Sequence, residues 1–231
     1  MSKNTIVALL IGTGAMLVLI AILMNRYKVK IWKSIPVSVL LTITGTIGTY
    51  IWFFVEASRF AGRSYYGAVF LVPFMFIPVA KLMKIPYGEI LDFCAPAECI
   101  MLAIMKHQCL LDGCCGGIII GATPEGEAIL FPSQIVELIN AFLIMSVLMV
   151  MGILKKQTGK LYGWYLFIYG ATRFVLNLFR EDTSPLLMGL PAGNLWSLFA
   201  IAIGFLWIKD YTIKIIKKEQ KQDLLCEKTG F

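Results

Sequence analysis

The sequence predicts an all-α integral membrane protein with about seven transmembrane helices. Of its 231 residues, 58% are hydrophobic and 15% are charged, and the mean hydropathy is +0.78. Soluble domains average about 25% charged residues. The composition is therefore typical of a chain embedded in a bilayer and excludes an ordinary soluble enzyme.

Seven apolar runs approach the length that crosses the hydrocarbon core, which is about 20 residues. They cover residues 6–24, 37–55, 68–83, 90–111, 135–154, 161–179 and 195–208. The third and seventh runs are short, and the fourth contains Asp92, Glu98, Lys106 and His107, so tilted or re-entrant segments stay open there. We expect one transmembrane domain over residues 1–211 and a polar cytoplasmic tail over residues 212–231.

The basic residues predict how the chain is oriented. They concentrate after the first, third, fifth and seventh runs, and basic loops stay in the cytoplasm. The amino terminus is therefore predicted outside and the carboxyl terminus inside, with segments 57–67, 112–134 and 180–194 facing outward. The net charge of +7 lies where anionic lipid headgroups would meet it, so it requires no nucleic-acid partner.

Arg173, Asn177 and Arg180 occupy one face of the sixth predicted helix, because they are spaced i, i+4 and i+7. A guanidinium within an apolar run persists only beside a polar cavity or a partner, and its planar fork suits a lipid phosphate. The alternative is a structural ion pair with Glu137 or Glu98.

The first outward segment brings Arg63, Tyr66 and Gly67 to the membrane interface. Tyrosine at such a position is commonly an aromatic-belt anchor. Glycine there permits close approach to a lipid headgroup or to a neighbouring helix, and the sequence leaves both interpretations open.

The second outward segment is rich in cysteine and glycine. Potential metal ligands cluster at His107, Cys109, Asp112, Cys114 and Cys115, but their spacing matches no standard zinc motif, so we predict neither a metal nor a cofactor. A redox-active thiol pair is a second interpretation, in which Cys109 pairs with Cys114 or Cys115 more easily than those neighbours pair with each other. Small packed residues are the third.

Several groups of residues match a known family. They are Gly62-Arg63 with Tyr66-Gly67, a Gly-rich stretch ending at Gly117, Pro132-Ser133-Gln134 followed by Glu137, Arg173-Phe174, and Gly193-Asn194 before Ser197. Together they resemble the bacterial prolipoprotein diacylglyceryl transferases over roughly residues 62–208. This chain would be a divergent, Cys-rich branch of that family. Where the family has a histidine this chain has Tyr66, and Lys106 replaces an arginine. Two family asparagines are replaced by Cys109 and Asp112, a glutamate by Cys114 and a carboxylate by Asn177.

The resemblance implies an outward-opening site in a multi-pass protein of the bacterial plasma membrane. Such enzymes move a diacylglyceryl group from phosphatidylglycerol to the lipobox cysteine thiol in a prolipoprotein signal peptide and leave glycerol phosphate. The implied base is Glu137, with Tyr66 or His107 as alternatives. The implied substrate-binding residues are Arg173 as phosphate clamp, Lys106 as its support, Arg63, Gly67, Asp112, Gln134, Asn177, Arg180 and Asn194.

Two other functions compete with the transferase. One is a non-catalytic lipid-binding or lipoprotein-binding membrane protein on the same fold. The other is a thiol-redox membrane protein that depends on Cys109, Cys114 and Cys115.

Overall fold

The computed structural model describes residues 3–57, 63–114, 116–123, 127–155, 157–180, 186–187 and 190–229. Of these described residues 81% are helical, and five of the helices that they form are long and apolar enough to cross a membrane. The predicted class, a helical membrane protein, is confirmed. The number of membrane crossings and the orientation of the termini stay predictions.

Within the described residues the chain forms seven α-helices. They are α1 (Lys3–Arg26), α2 (Ser34–Ala57), α3 (Tyr66–Met83), α4 (Tyr87–Leu111), α5 (Ser133–Leu154), α6 (Leu161–Asn177) and α7 (Ala192–Thr229). Each begins within three residues of a predicted apolar run. The helix α7 continues beyond the last apolar run, which ends at residue 208, and includes the polar stretch that follows it.

Two small antiparallel hairpins interrupt the helices at one end of the bundle. The first pairs β1 (Ile119–Ala122) with β2 (Ala128–Leu130), and the second pairs β3 (Leu186–Leu187) with β4 (Leu190–Pro191). The sequence predicts both regions only as outward segments between helices. Strands of two to four residues are too short to produce a periodic signal.

The helix ends divide into two groups. At the basic end, Arg26 Nε donates to the carbonyl of Ile153 at 2.7 Å, and Lys33 Nζ donates to the carbonyl of Met83 at 2.6 Å. This end holds the last turn of α1, α3 and α5 and the first turn of α2. The opposite end, called here the site end, holds the start of α3, α5 and α7 and the end of α4 and α6.

The helix α4 is the most polar run in the sequence and also the best buried. It packs against α1, α3, α5 and α6, and every residue from 90 to 100 is buried. The outer helices instead expose large apolar side chains, including Leu10 of α1 at 69% and Phe74 of α3 at 68%. Lipid chains favour apolar surface, and the charged residues Asp92, Glu98 and Lys106 accordingly lie on this buried helix.

One buried carboxylate on α4 fixes the start of α6. Asp92 accepts hydrogen bonds from the amides of Gly159, at 2.5 Å, and Leu161, at 2.9 Å. Those amides belong to the first-turn region of α6, where backbone donors have no partner inside the helix. Tyr27 also donates to Asp92, at 3.2 Å, and burial raises the pKa of Tyr27 above its usual range. Asp92 thus acts as a cap contributed by a different helix.

A second polar network crosses the middle of the bundle at Glu98, which is 4% exposed. Its carboxylate accepts a hydrogen bond from Tyr162 at 3.0 Å, and its main-chain carbonyl accepts one from Tyr65 at 2.9 Å. The Tyr65 and Tyr165 hydroxyls are 3.0 Å apart. Burial raises the pKa of Tyr65 well above its usual value, so this phenol stays neutral and can donate. The network joins α4 and α6 beneath the site end.

Candidate functional site

Three cationic side chains converge on one carboxylate at the site end. Glu137 Oε2 lies 2.6 Å from Lys106 Nζ and 2.5 Å from a terminal guanidinium nitrogen of Arg173. Glu137 Oε1 lies 2.9 Å from a terminal nitrogen of Arg180. We call these four residues the charge cluster.

The helix ends explain how residues far apart in sequence meet at this point. Lys106 lies near the end of α4, Glu137 lies just inside the start of α5, and Arg173 lies one turn before the end of α6. Arg180 follows α6 and is held by an isolated β-bridge with Gly117. The end of α4, the start of α5 and the end of α6 therefore bring these charged groups together at the site end.

Among the described residues three cations meet one carboxylate, so the charge cluster carries an excess of two positive charges. The side chain of Glu137 is 4% exposed, while those of Lys106, Arg173 and Arg180 are 11%, 14% and 17% exposed. Partly desolvated like charges repel strongly and are stable together only with counter-charge. A second negative charge would reduce the net charge of the cluster from +2 to +1. The site therefore favours binding a further anion.

Unused hydrogen-bonding groups lie beside the excess charge. Among the described residues, Arg173 Nε and Asn177 Nδ2 are buried without a hydrogen-bond partner, as is the acceptor Asn194 Oδ1. Buried polar groups without partners are uncommon in folded proteins and indicate a missing ligand or water. The two donors lie on α6 with the excess positive charge, and this combination suits an anion with several acceptor oxygens, such as a phosphate ester.

The Tyr66 phenol lies next to the charge cluster and is tied to α7. Its oxygen is 2.5 Å from Ser197 Oγ and donates to the carbonyl of Gly193 at 3.1 Å. Arg173 and Asn177 also lie within interaction range of this phenol. Tyr66 is 4% exposed, so the structure places it inside the bundle and not in a surface aromatic belt.

A β-bulged hairpin closes the side of the site next to Arg180. The amide of Gly117 donates to the carbonyl of Phe131 at 3.2 Å, and the amide of Ile118 donates to the carbonyl of Phe179 at 3.1 Å. A Cβ atom on Gly117 would lie 2.5 Å from the Phe131 oxygen and 2.8 Å from the Phe179 oxygen. Glycine at this position thus allows the hairpin to reach the end of α6 and to hold Arg180.

Several predicted site residues lie outside the charge cluster. His107 is exposed, because one residue along a helix turns the side chain by about 100° from Lys106. Arg63 lies over the ring of Tyr50, 5.9 Å from its centroid, on the α2 side. Asp112 is exposed and accepts a local hydrogen bond from Gln108 at 2.9 Å. The structure does not bring these three side chains together with Glu137.

Two further predicted residues have structural contacts of their own. Gly67 packs directly against the backbone of Gly48. The structure therefore shows close approach to a neighbouring helix, which was one of the two interpretations of this glycine. Gln134 Nε2 donates to the carbonyl of Cys114 at 2.6 Å and ties the hairpin segment to the start of α5.

Ser197 lies beside Tyr66, although the sequence predicts no binding or catalytic role for it. It is fully buried, and its hydroxyl donates to the carbonyl of Gly193 at 2.8 Å while contacting Tyr66. A serine one turn inside an apolar helix was the available signal. That signal is weak because helical serine commonly bonds the carbonyl four residues back.

The described residues contain no group of three or more His, Cys, Asp and Glu side chains placed to hold a metal ion. The charge cluster has a single carboxylate among three cations, which is an unsuitable donor set for a cation. Its chemistry is that of an anion site.

Comparison with known proteins agrees with this geometry. The family model described as prolipoprotein diacylglyceryl transferase matches residues 6–209. A phosphatidylglycerol–prolipoprotein diacylglyceryl transferase of Geobacter sulfurreducens is 27% identical over 139 residues, which are 57% of this chain and 53% of the relative. The alignment thus spans about half the length of that curated relative. The family consists of multi-pass bacterial membrane enzymes, which confirms the predicted location. Because the family model matches most of the sequence, the chain belongs to the prolipoprotein diacylglyceryl transferase family.

Proposed function

We propose that this protein transfers a diacylglyceryl group from phosphatidylglycerol to the lipobox cysteine thiol of a prolipoprotein, at the outer face of the plasma membrane. Membership of the family supports a transferase of this type. The observation that carries the proposal is the charge cluster, in which Lys106, Arg173 and Arg180 share one carboxylate. Its excess positive charge suits the phosphate of the lipid donor.

The reaction exchanges one bond for another. The substrate thiolate attacks the glyceryl methylene carbon that carries the phosphate oxygen, and a carbon–sulfur bond forms. The carbon–oxygen bond breaks, and its electron pair stays with the phosphate. The products are a thioether and glycerol phosphate, so the phosphate gains one negative charge as it leaves.

The charge cluster would stabilise that developing charge. Interactions accelerate a reaction only if they are stronger in the transition state than in the ground state, and a fixed cation beside a departing phosphate meets this condition. In our proposal Arg173 binds the phosphate, using the Nε–H that has no partner among the described residues. Lys106 supplies a point charge, since an ammonium cannot make the two-pronged contact of an arginine.

Glu137 fits the role of a positioning residue better than that of the base. Its two oxygens already contact three cations, and proton uptake would weaken all three ion pairs. We propose instead that it holds Lys106, Arg173 and Arg180 in place, as an internal counter-charge that the substrate phosphate supplements.

We propose Tyr66 as the group that takes part in proton transfer. Its hydroxyl is buried within interaction range of Arg173 and is bonded to α7, and a guanidinium can stabilise negative charge that develops on a nearby oxygen during proton transfer. The Ser197 hydroxyl, 2.5 Å away, provides an onward hydrogen-bonded contact. In this account the exposed His107 has no part in the chemistry.

A transfer assay with purified protein tests the proposal. A lipobox peptide is incubated with phosphatidylglycerol vesicles, and mass spectrometry measures the diacylglyceryl adduct. We expect adduct with the unmodified protein and a loss of 100-fold or more with Arg173→Ala, in line with the loss of one transition-state donor.

Arg26→Ala is the matched control. Arg26 is exposed at the basic end, far from the charge cluster, where it donates to the carbonyl of Ile153 at 2.7 Å. It should retain the activity of the unmodified protein. Binding of phosphatidylglycerol without any adduct would support the non-catalytic alternative. Full turnover by Arg173→Ala would exclude the phosphate-clamp role.

A further inference from the structure

The end of α4 brings two cysteines together through a particular turn. The amide of Gly113 donates to the carbonyl of Leu110 at 3.3 Å, and the amide of Cys114 donates to the carbonyl of Cys109 at 3.1 Å. Gly113 adopts the left-handed conformation, with φ of 65°. These three features define a Schellman motif, which commonly places the side chains at its first and last positions against each other. Here those positions are Cys109 and Cys114.

The backbone hydrogen bond limits the distance between the two cysteines. Standard bond lengths on either side of the 3.1 Å contact keep the Cα atoms of Cys109 and Cys114 within about 7 Å. Disulfides span Cα separations of roughly 4.4 to 6.8 Å. The turn therefore holds the two Cα atoms close to the separation that a disulfide spans. Cys114 is exposed and Cys109 is half-buried, so reagents can reach the pair.

The other cysteines of α4 lack this combination. Cys94 and Cys99 are buried in the middle of the helix, among the apolar side chains of the core. Burial in apolar surroundings makes a thiol inert. The turn at Cys109 and Cys114 is thus the reactive cysteine position that the described part of the chain presents.

We propose that Cys109 and Cys114 form a reversible intramolecular disulfide, driven by a disulfide oxidant on the outer side of the membrane. The exposed Cys114 thiolate attacks one sulfur of the oxidant and displaces its first thiol. The Cys109 thiolate then attacks the Cys114 sulfur of the mixed disulfide and displaces the second thiol. Two protein thiols lose two protons and two electrons, and one disulfide of the oxidant becomes two thiols.

The bridge would fasten one edge of the charge cluster. Lys106 lies one helical turn before Cys109, and Gln134 at the start of α5 donates to the carbonyl of Cys114 at 2.6 Å. Oxidation would fix the last turn of α4 against the segment that leads to α5. The proposal itself concerns the covalent state of the two thiols and does not depend on the transfer reaction.

Peptide mapping of the whole protein tests the proposal. The protein is purified in detergent, equilibrated with oxidised and reduced glutathione, alkylated and cleaved before Asp112, which separates Cys109 from Cys114. Mass spectrometry without reduction should find the two peptides linked in the unmodified protein and in Cys115→Ser. The link should disappear in Cys109→Ser and in Cys114→Ser.

Counting alkylated cysteines in the unfolded monomer gives a second readout. Oxidised protein should show two fewer alkylated cysteines than reduced protein, out of six in the sequence, and Cys226→Ser should show the same difference of two. A link that persists in Cys114→Ser would assign the bridge to Cys115. The proposal would be overturned by any of three results. These are a link through Cys115, a link confined to dimers, and no link at any glutathione ratio.

Discussion

Replacing Glu137 with glutamine removes the negative charge from the charge cluster and leaves its shape nearly unchanged. In the structure the carboxylate contacts Lys106 at 2.6 Å, Arg173 at 2.5 Å and Arg180 at 2.9 Å. The amide of glutamine can accept a hydrogen bond but cannot balance charge. Three partly buried cations would then lie side by side without the one carboxylate that pairs with them in the described part of the chain.

The expected cost follows from the burial of these groups. Removing one partner of a buried ion pair typically costs about 3–5 kcal/mol. Three ion pairs are lost here, but Lys106 and Arg180 are 11% and 17% exposed and can turn toward water, so we expect the cost to stay within that range. For a chain of this size it corresponds to a fall of roughly 6–20 °C in the unfolding midpoint.

Thermal unfolding of the purified proteins measures this cost. The midpoint of Glu137→Gln should fall as calculated in neutral detergent. Added phosphatidylglycerol should raise it by more than in the unmodified protein, because the lipid phosphate then supplies the missing negative charge. Glu127→Gln makes the same chemical change on the exposed hairpin and should unfold like the unmodified protein.

A midpoint equal to that of the unmodified protein would refute the reasoning, since it would mean that Glu137 contributes no counter-charge. A large loss of stability with no recovery by anionic lipid would agree with stabilising ion pairs at Glu137. It would contradict the proposal that the cluster binds an anion.

Two further predictions concern Tyr66 and Gly67. Tyr66→Phe should slow transfer by about 100-fold or more, as expected for a proton-transfer group, while the unfolding midpoint changes little because Ser197 keeps its bond to Gly193. An unchanged transfer rate would exclude Tyr66 from the chemistry. Gly67→Ala should destabilise the protein by about 3 kcal/mol in the same thermal assay, because its methyl group would meet the backbone of α2. Gly14→Ala, which has open space at that position, is the control and should be neutral or stabilising, and equal midpoints for the two variants would contradict the packing account.

The helices could be predicted closely from the sequence because apolar runs of fixed length determine them. All seven begin within three residues of the predicted runs, including α4 with its internal charges. The length of α7 could not be predicted in the same way. Its last part is polar, and composition alone does not distinguish a continuing helix from an irregular tail.

The site could be predicted only in part, because spacing along one helix does not identify partners on another. The shared helix face could be predicted for Arg173 and Asn177, but it was wrong for Arg180, because α6 ends at Asn177 and Arg180 lies beyond it in a β-bridge with Gly117. The sequence left Arg173 with either a phosphate or a carboxylate, and the structure pairs it with Glu137. Joint contact of Lys106 and Arg180 with the same carboxylate depends on how three helices rotate in the bundle.

Rotation also separates neighbours that the sequence groups together. Lys106 faces the charge cluster, whereas the adjacent His107 is exposed. Tyr66 faces α7, whereas the adjacent Gly67 faces α2. A motif read as a string includes both members of each pair, but a helix directs them to different surroundings.

The most direct test of the account measures both products of one transfer reaction. Purified protein, a lipobox peptide and phosphatidylglycerol are incubated together, and the thioether peptide and released glycerol phosphate are quantified, with the Geobacter sulfurreducens relative as positive control. The account predicts the two products in equal amounts, and neither from Arg173→Ala. No thioether from this protein while the control turns over, or a modified peptide without glycerol phosphate, would contradict it.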